Sequence, residues 1–286
     1  MKNTAYKLIV ILGVIGVSFS AIFVKYATVP SMVLALYRMG FAAILLLPVV
    51  TVKFRDELKQ LKRSDWLLCM LSGFFLACHF SAYFESLKHT SVASSTVLVD
   101  MEVFFVALVT VFLFHERISK AAVTGILLTF AGSIVLALTD SSEGSNIVYG
   151  DALAILGAVF VSVYTLIGRH QRTRMTTTVY TFLVYASASV TLLVFCLVSG
   201  NQIAAAEPVN YIWGLLLTLC CTFFGHSVFS WSLKYVPAAF VSTAKLGEPV
   251  FATIMSVFLF GEMPKPMQVA GGLIILGGLC LYTAKE

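Results

Sequence analysis

The chain is 286 residues long, 59% of them hydrophobic and only 12% charged, with a formal net charge of +5. Soluble domains carry about 45–50% apolar and about 25% charged residues, and a soluble sphere of this size has too little interior to hide the surplus. A water-soluble enzyme, a coiled coil and a disordered chain are thereby excluded, and a polytopic membrane protein remains.

A helix needs about 20 apolar residues to cross a hydrocarbon core about 30 Å thick. In chain order such runs fall at about 6–25, 30–50, 66–87, 91–113, 119–139, 150–168, 176–199, 211–233, 238–260 and 264–282. Barrel strands would be half as long and would alternate in polarity, and these runs do not alternate. The predicted fold is therefore all-α, with ten transmembrane helices. Lys2 and Lys7 precede the first run, and Ser18-Phe19-Ser20 resembles a small-x-small cleavage site. The apolar run continues through Val24, so the first helix is read as retained.

Orientation follows from the basic residues. With the N-terminus inside, the inner segments hold fourteen Lys and Arg, from Lys2 to Lys285, against three outside: Lys25, Lys88 and Lys265. Arg38 and Lys245 stay within spans. The asymmetry places both termini in the cytoplasm and the chain in the cell membrane. The same reading accounts for the positive charge without a nucleic-acid partner, since the basic stretch 53–63 also holds Asp56 and Glu57. All six cysteines sit in apolar runs with no C-x-x-C pair, which predicts buried free thiols.

Shifted by 146 residues, 84–133 lies on 230–279 without a gap and with 15 identities in 50. Ser86-Leu87-Lys88 meets Ser232-Leu233-Lys234, and Glu102 and Glu116 meet Glu248 and Glu262. A repeat of five helices is odd in number, so its second copy enters the membrane inverted. Two such repeats are expected, at 1–140 and 147–286, around a central cavity. Inverted repeats are the architecture of many secondary transporters, with the substrate at mid-membrane between the halves.

The motifs now resemble those of the drug/metabolite transporter superfamily, in its ten-helix EamA-type branch. The residues that carry the likeness are Leu87-Lys88-His89-Thr90-Ser91, Phe114-His115-Glu116-Arg117-Ile118-Ser119, Phe260-Gly261-Glu262, Glu248-Pro249, and Arg38 in Leu36-Tyr37-Arg38-Met39. One departure is Glu102-Val103, where Glu-Pro is usual in the family; it predicts a straighter fourth helix than ninth. The resemblance implies export of amino acids or other small metabolites, and neither a metal nor a nucleotide cofactor.

A charge at mid-membrane costs about 2.5–3.5 kcal/mol on insertion scales, so it should face a cavity or a partner. Glu102 and Glu248 lie at the centres of the fourth and ninth spans, where they suit an ammonium or a proton. Lys245, three residues before Glu248, is expected either to pair with it locally or to line the cavity. Pro249 is the hinge candidate, because it cannot donate to the carbonyl of Lys245. Asp100 is expected on the opposite side of its helix from Glu102, paired with Arg38. His79 and His226 form a near-symmetric pair suited to carrying protons or bonding a carboxylate, or to holding helices together. Tyr83 and Ser230 sit one turn beyond them, and Tyr164 and Trp231 offer aromatic walls. Gly125, Gly132, Gly271, Gly272, Gly277 and Gly278 suit close helix packing, or a homodimer through helices five and ten.

No G-x-x-x-x-G-K-[ST], H-E-x-x-H or G-x-S-x-G occurs. The function expected is a secondary transporter of a small polar or amphipathic metabolite; the competing reading is an intramembrane enzyme or lipid scramblase built on Glu102 and the histidines. The inverted repeat has a direct test. A membrane-impermeant reagent added to sealed cells should label Lys88→Cys but not Lys234→Cys, and labelling of both from one side would end the two-halves reading.

Overall fold

The structure, a computed structural model, describes residues 2–90, 92–113, 115, 118–138, 146–251, 254–255 and 265–285. The motif residues Ser91, Phe114, Glu116, Arg117, Phe260, Gly261 and Glu262 lie outside them. Among the described residues there are helices and turns and no strand.

The helices in order are α1 (Lys2–Ser18), α2 (Ser20–Tyr26), α3 (Ser31–Lys53), α4 (Arg55–Gln60), α5 (Arg63–His89), α6 (Val92–Val99), α7 (Glu102–Phe112), α8 (Lys120–Ala137), α9 (Ile147–Gln171) and α10 (Thr177–Val198). Then come α11 (Val209–Leu216), a π-helical segment Leu217–His226, α12 (Ser227–Ser232), α13 (Ala238–Lys245) and α14 (Pro266–Lys285). Among the described residues, seven helical stretches are long and apolar enough to cross a membrane: Ala5–Tyr26, Ser31–Lys53, Arg63–His89, Ser94–Phe112, Ile147–Gln171, Thr177–Val198 and Val209–Ser232. Two shorter apolar stretches, Lys120–Val135 and Val269–Tyr282, join them. The chain is a multi-pass membrane protein.

Local chemistry sets the helix starts. The Asp65 carboxylate accepts from the Lys62 N–H at 3.1 Å and closes the first turn of α5. Ser119 accepts from the Ala122 N–H at 3.1 Å ahead of α8, Asn146 from the Tyr149 N–H at 3.3 Å ahead of α9, and Thr176 from the Val179 N–H at 3.4 Å ahead of α10. Each satisfies one of the donors that a helix N-terminus leaves open.

Polarity runs inside out relative to a soluble protein. Leu12, Ile44, Val52, Phe112 and Val198 are exposed, whereas Arg38, Asp100, Glu102, His79 and His226 are buried. Lipid tails solvate the outer side chains as well as a protein core would, so packing and polar contacts hold the helices together. Helix α5 lies between α9 and α10, α3 packs on α10, and α1 packs on the π segment.

Helices α8 and α14 approach closely through glycines. A Cβ on Gly125 would stand 2.8 Å from the Gly278 carbonyl oxygen, and one on Gly132 would stand 2.8 Å from the Gly271 carbonyl oxygen. Four of the six glycines are thus spent on a seam within the chain; Gly277 faces open space. The obstacle at the seam is backbone, which cannot swing aside. Gly125→Ala and Gly132→Ala should each destabilise the purified protein by about 1–3 kcal/mol, the usual range for overpacking. Gly277→Ala should leave the melting temperature unchanged.

Candidate functional site

Two broken helices build the site. Between α6 and α7 the chain makes a tight turn at 100–101: the Met101 N–H donates to Leu98 at 3.3 Å and the Val103 N–H to Asp100 at 3.2 Å. After α13 the same happens at 246–247, where Leu246 donates to Thr243 at 3.1 Å and Gly247 to Ala244 at 3.0 Å, before helix resumes at 248–251. Pro249 explains the second break, since it has no N–H for the Lys245 carbonyl. The first break occurs without a proline. Each break also meets a serine from another helix. The Ser162 hydroxyl of α9 stands 3.4 Å from the Glu102 carbonyl and the Ser18 hydroxyl of α1 stands 3.2 Å from the Glu248 carbonyl, while each donates at shorter range within its own helix, to Ala158 at 2.6 Å and to Val14 at 2.8 Å.

The breaks bring charges together. Lys245 Nζ donates to Glu102 Oε1 at 2.8 Å, with 9% and 2% of the two side chains exposed. Of the two expectations for Lys245, a local pair with Glu248 or a place in the cavity wall, its position matches the second: it lines the cavity and reaches across to α7. Its ammonium also stands 5.3 Å from the centre of the Phe229 ring. In a medium that screens charge weakly, each member of such a pair depends on the other.

Arg38 is 1% exposed. Its Nε donates to Thr222 Oγ1 at 2.8 Å and one terminal nitrogen to Ser20 Oγ at 3.4 Å, while the guanidinium lies 4.3 Å from the centre of the Phe80 ring. The expected Arg38–Asp100 ion pair is absent among the described residues. The second terminal nitrogen of Arg38 and Oδ2 of Asp100 are both buried without a hydrogen-bond partner among those residues. Neutral hydroxyls on the π segment and α2 take the place that an acid was expected to fill. The Arg38 carbonyl is held as well, by the Thr218 hydroxyl at 2.8 Å.

The histidines meet. Their ring centres are 6.4 Å apart. His79 Nδ1 lies 3.1 Å from the Gly157 carbonyl oxygen, to which it donates. His226 Nδ1 has no partner among the described residues. Phe80 sits beside both, 5.0 Å from His79 and 5.3 Å from His226.

Arg38, His79, Asp100, Glu102, His226, Lys245 and Glu248 line one cavity, together with Ser20, Phe80, Tyr83, Thr96 and apolar side chains. Its free volume is about 40 Å³, above the threshold for holding ordered water. Asp100 and Glu102 both reach it, contrary to the expectation that two residues' separation would point them apart. That expectation assumed an unbroken helix, and the turn at 100–101 removes the assumption.

Three sequence candidates stand away from the cavity. The Tyr164 hydroxyl and Ser230 Oγ bond one another at 2.9 Å and tie α9 to α12. Trp231 lines a separate outer groove with Ile9, Phe223, Ser227 and Val228, its ring 5.6 Å from Tyr6 and 4.8 Å from Tyr235. Tyr83 does line the cavity, with its hydroxyl 3.4 Å from Thr96 Oγ1. Sequence reasoning missed Ser20, Thr222 and Phe80. The polar spacing Thr218, Thr222, His226 along one apolar run was the available sign of a polar stripe.

Comparison with known proteins agrees with this architecture. The EamA-like transporter family model matches the chain twice, over residues 5–138 and 148–284. An uncharacterized transporter of Archaeoglobus fulgidus is 28% identical over 263 residues, 88% of each chain. The pseudopaline exporter CntI of Pseudomonas aeruginosa is 24% identical over 262 residues, 91% of this chain and 89% of the relative. A solved crystal structure superposes with a TM-score of 0.79 over 98% of both chains at 19% identity, a likeness of fold.

The Lys245–Glu102 pair makes an energetic prediction. Glu102→Gln strands an ammonium in the bundle and should cost about 3–5 kcal/mol of stability. Adding Lys245→Met removes the stranded charge and should restore most of that loss. Thermal unfolding in detergent reads both, and a double variant no more stable than the single would show the pair to be incidental.

Proposed function

Because the chain belongs to the EamA-like transporter family, we propose that it is a secondary transporter, moving a small amine-bearing metabolite out of the cell by alternating access. The observation that carries this reading is the cluster of five ionisable groups around one cavity, Asp100 and Glu102 at one helix break, Lys245 and Glu248 at the other, and Arg38. Broken helices with charged side chains around a small void suit a site that takes a hydrated solute and strips its water. A void of about 40 Å³ is too small for an amino acid, so this reading takes the structure as a closed state that must part to load.

In this reading ten helices form two inverted halves, 1–140 and 147–286, with both termini cytoplasmic. The helix neighbours support an exchange of halves: α5 on α9 answers to α1 on the π segment, while α3 with α10 and α8 with α14 each pair a helix with its own counterpart. The serines support it too, since Ser18 of the first helix meets the second break and Ser162 of the sixth meets the first. Two equivalent halves have two equivalent tilts, one open to each side. Glu248 lines the cavity without an ion-pair partner among the described residues, and it is the proton or ammonium carrier of the cycle.

Reconstituted into liposomes, the protein should pass labelled amino acids saturably and unchanged. Glu248→Gln should reduce that flux at least about tenfold, the worth of a single charge-assisted contact. Glu262→Gln, in a turn by sequence, should leave it near wild type. Chemical conversion of the solute without flux would favour an enzyme instead.

A further inference from the structure

We propose that two acid-to-threonine clasps, Glu57 on Thr176 and Glu207 on Thr28, hold the two halves together at opposite ends of the bundle, and that each end opens by releasing its own clasp. The proposal rests on the two-halves transport reading above and assigns gating residues to it, none of which lines the cavity.

The helices fix where the clasps lie. Thr28 precedes α3 and Glu57 follows it, so the 23 residues of α3 stand between them, roughly 34 Å of helix. Thr176 caps the start of α10, and Glu207 lies beyond its end. Helices α3 and α10 pack on one another. Each clasp joins the start of one of them to the segment beyond the end of the other, so the two run antiparallel with one clasp at each end. Each clasp also joins residues 1–140 to residues 147–286. The 146-residue offset of the sequence repeat carries Thr28 to position 174 and Glu57 to position 203, two and four residues short of Thr176 and Glu207. The clasps are therefore counterparts under the exchange of halves.

Their chemistry is alike. The Thr176 N–H donates to Glu57 Oε1 at 2.6 Å and its hydroxyl to Oε2 at 2.9 Å, so both carboxylate oxygens are engaged at a helix N-terminus, where negative charge is favoured. At the other end the Thr28 hydroxyl donates to Glu207 Oε2 at 3.1 Å. There Asn210 adds two bonds: its Oδ1 accepts from the Thr28 N–H at 2.9 Å and its Nδ2 donates to Thr28 Oγ1 at 3.0 Å. Helix starts need only a local cap, and Thr176 already accepts from the Val179 N–H. An acid brought from the other half acts instead on how the halves meet. Both clasps are exposed, so water can replace each bond at small cost. That sets them apart from the Lys245–Glu102 pair, which is buried. With both clasps made, the cavity keeps only about 40 Å³.

The test measures each end separately, by pulsed electron paramagnetic resonance on the full chain in lipid nanodiscs. Nitroxide pairs are placed at Lys59→Cys with Thr173→Cys for one end and at Lys25→Cys with Val209→Cys for the other. The parent carries Cys280→Ser, which removes the exposed native thiol. Glu57→Ala should raise the long-distance population at the first pair roughly threefold to tenfold and leave the second pair unchanged. Glu207→Ala should do the reverse, by less, because Thr28 keeps both bonds to Asn210. Distances that do not respond, or both ends loosening together in either variant, would overturn the proposal. Efflux of labelled amino acids from liposomes is read in parallel on the unlabelled wild type. Unresponsive distances in a protein that passes them overturn the clasps and leave transport standing. End-specific opening in a protein that passes none supports the clasps and overturns the transport reading.

Discussion

The contact between Lys245 and Glu102 is the constraint around which the centre of this protein is arranged. A bilayer interior gives an isolated ion no solvent, so each of these groups can stay where it is only with the other at 2.8 Å. The two residues sit on different helices, and both helices are interrupted beside them. At 100–101 and 246–247 tight turns interrupt the helices, and serines on α9 and α1 approach the carbonyls of Glu102 and Glu248. Around them the same logic repeats with weaker partners: hydroxyls on Arg38, a carbonyl on His79, a ring beneath both.

This arrangement separates the polar groups into those that hold the bundle and those left to act. Tyr164 with Ser230, and Lys245 with Glu102, are satisfied by each other. Arg38, Asp100 and His226 keep a bare polar atom each among the described residues. A folded chain rarely tolerates such atoms without a use for them, and here all three side chains border the same small void. A solute that satisfied them would release the cost of leaving them unpaired, and that gain is the source of selectivity for a polar cargo over an apolar one of the same shape.

Much of this was legible in the residues, because the bilayer makes polarity easy to read. An apolar run that contains Arg38, Glu102 or Lys245 announces a buried charge, since hydrocarbon tolerates few exceptions. The candidates that met at the cavity were found on that ground. Pairing was not legible. It depends on which helices cross, and helix crossing is set by small residues and shape, not by charge. Glu102 took Lys245 from another helix in preference to the neighbour that sequence spacing offered Lys245. Asp100 turned toward the cavity because the helix ended at Val99, and nothing in Asp100-Met101-Glu102 marks a stop of the kind Pro249 provides. Trp231 and Tyr164 were selected as large aromatics, but size alone does not distinguish a cavity wall from a lipid-facing ring. Ser20 and Thr222 were passed over because hydroxyls inside membrane helices ordinarily bond their own backbone, and here they bond Arg38 instead.

The glycine seam of α8 and α14 bears on how such a molecule can move. Where two helices touch through side chains, rotamers can adjust and one rod can slide along the other. Where backbone lies on backbone, as Gly125 on Gly278 and Gly132 on Gly271, there is no compliant layer to shear. The seam resists sliding, and so do the contacts of Gly73 with the Val184 carbonyl and of Gly16 with the Cys220 carbonyl. In the alternating-access reading proposed above, rotation about these contacts rather than shear along them would be the freedom left to the bundle.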